Sequence, residues 1–63
     1  MIVQFIDAIA GTTVYINPQY VVSMRPDPAH PDENTIVTLD GGETLTVRGE
    51  HMAVADKLRR AAA

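Results

Sequence analysis

The sequence predicts a single, mostly β domain over residues 1–63, in which five short antiparallel strands are followed by one C-terminal α-helix. Three observations predict this fold class. Short runs rich in β-branched and aromatic residues are separated by Gly, Pro and Asn. The glycine pair Gly41 and Gly42 lies between two such runs, as in a tight hairpin. From Glu50 onward the apolar residues recur at helical spacing.

The first two predicted strands are residues 2–6 and 12–16, and the mostly small residues 8–11 separate them. Extended runs joined by a short stretch of small residues are typical of a hairpin. Side chains alternate between the two faces of a strand, so Val14 and Ile16 share one face. We therefore expect Val14 and Ile16 to point into the core.

The third predicted strand is residues 20–24, and it is followed by an irregular segment. Strict alternation places Val22 and Met24 on one face and Val21 on the other. Residues 26–34 hold three prolines and three acids, which form few ladder hydrogen bonds and bury little apolar surface. We expect an exposed loop there.

Residues 35–39 and 44–47 are predicted to form the second hairpin, and its register follows from the apolar pattern. A two-residue turn would set polar side chains against apolar ones on both faces. A three-residue loop with Gly42 in the left-handed region instead places Val37 opposite Leu45. We therefore predict the three-residue loop.

The closing helix is predicted from Glu50, with Val54 and Leu58 on its buried face. An acid near its start and basic residues near its end match the order that the helix dipole favours. A helix of about a dozen residues is marginal alone in water, so it must pack on the sheet or on another subunit. Two architectures remain open: a small, partly open barrel of the Sm or SH3 kind, or a bent antiparallel sheet.

Composition limits the class of protein. A chain of 63 residues buries a modest core, and one without cysteine has no disulfides, so oligomerisation is the expected source of extra stability. The lack of cysteine fits a reducing compartment, and Met1 leads directly to Ile2 without a basic segment. We expect a cytoplasmic protein with no membrane insertion.

The charge is unevenly distributed. Residues 1–47 carry one Arg and six acids, while residues 48–63 carry four basic and two acidic groups, within a net charge of −3. This balance argues against tight nonspecific binding of nucleic acid, which requires neutralised phosphates. The candidate contact residues for a partner or for nucleic acid are the C-terminal cations Arg48, Lys57, Arg59 and Arg60.

No set of residues indicates catalysis. His30 lies among acids in the exposed loop and His51 lies in the first helical turn, and neither belongs to a nucleophile motif. A solvated loop is favoured over a metal site around His30, because metal sites need fixed ligand geometry. We expect no enzyme activity, no metal and no cofactor.

Apolar residues on the outward faces predict self-association. Ile2, Val21 and Ile36 fall opposite the faces assigned to the core, and a thin sheet with one helix covers only one of its faces. The alternative is a barrel that buries some of them. We predict a homo-oligomer, with a dimer as the simplest form.

The run Val14-Tyr15-Ile16-Asn17-Pro18, the later strand 35–39 with Gly42, and the pair Val54 and Leu58 resemble the small flagellar FlbD family, which is related to swarming-motility proteins. The resemblance covers nearly the whole chain. It implies an opening hairpin, an Asn-Pro, a third strand, a glycine hairpin and a closing helix, in a protein without catalytic residues. In this chain a longer proline-rich loop joins the third and fourth strands.

Two functions follow as hypotheses. The first is an oligomeric interaction module that binds another protein, with a motility role implied by the FlbD resemblance. The alternative is a small oligomeric regulator that binds nucleic acid through its basic helix, with an affinity that falls steeply as salt rises.

Overall fold

The computed structural model describes residues 1–62 and contains five strands and one helix, as predicted. The elements are β1 (Val3–Ile6), β2 (Thr13–Ile16), β3 (Val21–Pro26), β4 (Asn34–Leu39), β5 (Thr44–Arg48) and α1 (His51–Ala62), with a 3-10 turn at Pro18–Tyr20. The strands form two antiparallel sheets, β1-β2 and β3-β4-β5.

The apolar face of the β1-β2 hairpin packs against the core. Val3 pairs with Ile16 and Phe5 pairs with Val14. Val3, Phe5 and Ile16 are buried, and Val14 packs against them, which confirms the predicted inward face of β2. The carboxylate of Asp7 closes the hairpin loop by accepting hydrogen bonds from the backbone N–H groups of residues 9 and 10.

The β4-β5 hairpin has the predicted register. Val37 lies opposite Leu45, and the N–H of Leu39 donates to the C=O of Glu43 at 2.8 Å, which leaves residues 40–42 as a three-residue loop. Gly42 adopts a φ of +91°, in the region that disfavours side chains. The apolar pattern was therefore sufficient to choose between the two turns.

The face predicted for Val21 is wrong. A β-bulge lies between Val21 and Ser23, where Val21 pairs with Leu39 and Ser23 pairs with Thr38. The extra residue, Val22, breaks the alternation, so Val21 and Met24 both pack against the core. Val22 is exposed instead.

One backbone bridge connects the two sheets. Asp7 pairs with Val47 of β5, and the N–H of Ala8 donates to the C=O of Thr46 at 2.8 Å. The strands therefore follow the order β2-β1-β5-β4-β3 around the core, with β2 and β3 at the two ends. This is a bent, open arrangement, and the closed barrel is not what the chain forms.

The helix α1 covers the core through Val54 and Leu58, both buried as predicted. Glu50 precedes the helix, and its carboxylate accepts a hydrogen bond from the N–H of Ala53 at 2.7 Å, which caps the first turn. Gly49 leads into this cap with a φ of +126°. Its carbonyl accepts a 2.8 Å hydrogen bond from the hydroxyl of Thr35, a fully buried side chain.

The loop between β3 and β4 is exposed, as expected, but it is shorter than predicted, because Pro26 and Asn34 pair within the sheet. Asp27 organises it. Its carboxylate accepts a hydrogen bond from the N–H of Ala29 at 3.0 Å, and its own N–H donates to the C=O of Asn34 at 3.1 Å.

Across residues 1–62, no helix is long and apolar enough to cross a membrane.

Candidate interaction surface

Lys57, one of the cations predicted to contact a partner, instead contacts β1 of its own chain. Its ammonium donates a hydrogen bond to the backbone carbonyl of Gln4 and lies 4.6 Å from the centre of the Phe5 ring. The Gln4 carbonyl lies on the edge of β1 that faces β5, but β5 ends before it reaches Gln4. The Lys57 ammonium therefore supplies the hydrogen-bond donor that a neighbouring strand would otherwise provide. The cation also gains from the negative face of the ring.

The other three C-terminal cations are spread over the surface. Arg60 forms an ion pair with Asp56 one helical turn earlier, at 3.0 Å. Arg59 is exposed on α1, and Arg48 is exposed at the end of β5. Two of the four predicted cations thus contact groups of the chain, and the Asp56 carboxylate offsets the positive charge that Arg60 offers to a phosphate backbone.

The histidines do not gather ligands in the described part of the chain. His30 Nδ1 lies 3.7 Å from a carboxylate oxygen of Glu33, and both side chains are exposed. His51 Nδ1 lies 3.8 Å from a carboxylate oxygen of Glu50. Within residues 1–62, no group of three or more His, Cys, Asp and Glu side chains is placed to hold a metal ion.

Exposed apolar side chains are concentrated at the start of the chain. Seven large ones are exposed among residues 1–62, and Met52 on α1 is the seventh. The other six define what we call the N-terminal apolar surface: Met1, Ile2, Ile9, Tyr15, Tyr20 and Val22. Ile2 and Tyr15 are each 64% exposed and fall on the outer face of the β1-β2 hairpin, Ile2 just before β1 and Tyr15 on β2.

Four of these six side chains, Ile9, Tyr15, Tyr20 and Val22, lie in an uncharged segment. Residues 8–24 contain no Asp, Glu, Lys, Arg or His. A groove of about 240 Å³ lies beside this segment, between Met1, the 3-10 turn and the end of α1. Surfaces that stay in water usually mix charges of both signs, whereas depletion of charge with enrichment of Tyr and Met is typical of the centre of a protein interface.

The two end strands differ in how their open edges are protected. On β3 the edge carries a bulge at Val22, the charged Arg25 and the terminal Pro26, all of which hinder pairing with another strand. The four residues of β2 carry none of these features. The backbone of β2 is therefore the edge on which another strand can pair.

The predicted self-association residues lie in different environments. Ile2 is exposed, while Val21 packs against the core because of the bulge. Ile36 is half-buried, with Arg25 and Thr46 as its neighbours across the sheet. Tyr15 was not among the residues predicted for self-association, and β2 was not singled out as the exposed strand edge, although the absence of charge over residues 8–24 could have indicated both.

Comparisons with protein-family models, with curated proteins and with solved structures found no match to this chain. The resemblance to the FlbD family therefore stays a prediction.

Proposed function

We propose that this chain is a non-enzymatic cytoplasmic interaction module that self-associates and binds another protein through the N-terminal apolar surface. The observation that carries the proposal is that four of the six exposed large apolar side chains lie in one segment free of charge. Exposed apolar groups of this size are costly to leave in water, and burying them against a second surface recovers about 25 cal/mol per Å².

The small core supports the same proposal. Seven apolar residues are buried among residues 1–62, and only Phe5 among them is aromatic. A domain of this size has a narrow stability margin, which association with a second folded surface widens by mass action. Cytoplasmic placement rests on the absence of cysteine, which suits a reducing compartment.

Matched polar substitutions test the self-association. Tyr15→Thr removes one aromatic from the N-terminal apolar surface, and Met52→Thr removes a similarly exposed apolar side chain from α1. We expect Tyr15→Thr to raise the dissociation constant of the oligomer and Met52→Thr to leave it unchanged, as measured by light scattering over a range of concentrations. Equal effects of the two variants would contradict the proposed location.

Binding of a second protein is tested with a photo-crosslinking amino acid at position 15 or 52 in the host cell. A partner crosslinked from position 15 alone should, when purified, form a complex of defined mass with the wild-type chain and bind Tyr15→Thr more weakly. A candidate that binds both proteins equally would count against this surface.

Deletion of the coding sequence, followed by swimming and swarming assays, tests the motility role implied by the FlbD resemblance.

A further inference from the structure

The backbone groups of β2 divide between its two edges in a way that the hydrogen bonds define. The N–H of Asp7 donates to the C=O of Thr12 at 2.7 Å, so this position has the bonding direction of a hydrogen-bonded pair, although the C=O of Asp7 accepts the N–H of Gly11 instead. In an antiparallel ladder such pairs alternate with pairs whose backbone groups point away from each other. The N–H and C=O of Val14 therefore point toward β1, and those of Thr13 and Tyr15 point to the open edge.

Two contacts on the other side of β1 support this alternation. Gln4 pairs with Tyr15, so its backbone groups should point away from β2, and its carbonyl does accept the hydrogen bond from Lys57. Ala8 continues the same alternation, and its N–H donates to Thr46 of β5. The assignment of the open groups on β2 thus agrees with the bonding at three separate positions.

We propose that β2 pairs antiparallel with β2 of a second copy of this chain, about a two-fold axis at Val14. In this register Thr13 lies opposite Tyr15 of the other copy, and the two such pairs form four backbone hydrogen bonds. All four open N–H and C=O groups of each strand are then used. This inference rests on the proposed self-association and specifies its geometry.

The neighbouring registers use the edge less completely. Centring on Thr13 would pair Tyr15 with Gly11, whose φ of +75° is not extended and whose N–H already donates to Asp7. Centring on Tyr15 would pair Thr13 with Asn17, whose carbonyl already accepts the N–H of Tyr20 at 3.0 Å. The register centred on Val14 is the one in which no group has a competing partner.

The side chains also suit a second copy. Tyr15 would lie beside Thr13 across the new ladder, an aromatic and β-branched pair that favours strand association. Val14, half-buried at the core, would meet its own counterpart. Because residues 8–24 carry no charge, no charged side chain of β2 or its flanking loops faces its own copy across the axis.

Single-cysteine variants test the register, because the chain has no native cysteine. Opposed residues of a non-hydrogen-bonded pair have Cα atoms about 4.5 Å apart, within the range that a disulfide spans. Val14→Cys should therefore form a covalent dimer under mild oxidation. In the same dimer the two copies of residue 15 are offset by two positions, roughly 8 Å, so Tyr15→Cys should not crosslink.

A proline variant tests the open edge independently. Thr13→Pro removes an N–H that β1 does not use, so the hairpin is retained while two hydrogen bonds per dimer are lost. The dissociation constant should rise roughly 30-fold, measured by sedimentation, with an unchanged far-ultraviolet spectrum.

The register is supported if Val14→Cys crosslinks, Tyr15→Cys does not, and Thr13→Pro raises the dissociation constant. If the wild type is a dimer but Tyr15→Cys crosslinks instead, or neither variant does, the β2 pairing is overturned and the proposed function stands. A wild type that remains monomeric would overturn both. Melting curves of the reduced cysteine variants confirm that each is folded before oxidation.

Discussion

Replacing Gly49 by alanine should destabilise the fold more than the same change at Gly41. Both glycines have a positive φ, +126° and +97°, so a side chain costs about 1–3 kcal/mol of backbone strain at either site. At Gly41 an added Cβ meets nothing within 4 Å, whereas at Gly49 it lies 3.0 Å from a methyl group of the buried Val54. Overpacking of this kind adds about 1–3 kcal/mol.

Thermal unfolding followed by circular dichroism, at one fixed protein concentration, measures this difference. The melting temperature of Gly49→Ala should fall below that of Gly41→Ala by roughly 4 to 24 °C, at about 4 to 8 °C per kcal/mol for a domain of this size. The contact with Val54 can be isolated in a double-mutant cycle, because Val54→Ala removes the opposing methyl group. Equal costs at Gly49 and Gly41, or an equal cost of Gly49→Ala with and without Val54→Ala, would refute the reasoning.

Three further substitutions have defined outcomes. Thr35→Val should cost roughly 1–3 kcal/mol in urea unfolding, because the carbonyl of Gly49 loses its donor, and Thr35→Ser, which keeps the hydroxyl, should cost less. Lys57→Met should lower stability by at least about 0.5–1 kcal/mol while Arg59→Met, with the same loss of charge, changes it little; equal effects would contradict the role of the lysine. The N–H groups of Ala10 and Ile9 hold the pKa of Asp7 below its ordinary value of 3.8, so its contribution to stability is present above that pH and is lost as the pH falls further. Asp7→Asn should therefore lose less stability than the wild type over that acid range, and parallel pH profiles would show that the Asp7 hydrogen bonds do not matter.

Much of the fold was predictable because local pattern and tertiary packing agree. The register of the β4-β5 hairpin followed from matching Val37 with Leu45 around the glycine pair. The buried face of α1 followed from the spacing of Val54 and Leu58. In both elements one face is more apolar than the other. A shift in strand register or a rotation of the helix would expose that apolar face to water.

The errors arose where the apolar pattern is the same on both faces. Val21 and Val22 are identical side chains, so nothing in the alternation marks the bulge that turns the first inward and the second outward. The role of Lys57 depends on β1 extending past the end of β5, which is a tertiary feature. From the sequence alone, Lys57 is indistinguishable from the other basic residues near the C-terminus of the helix.

Sedimentation equilibrium over a range of concentrations tests directly whether the uncharged N-terminal segment joins two copies of the chain. At about 0.1 M and about 1 M salt, which screen charges over very different distances, we expect the same dissociation constant. The mass should approach twice the chain mass of 6.8 kDa as concentration rises. A mass of 6.8 kDa at every concentration would contradict self-association, and a dimer that separates in high salt would contradict an interface without charge.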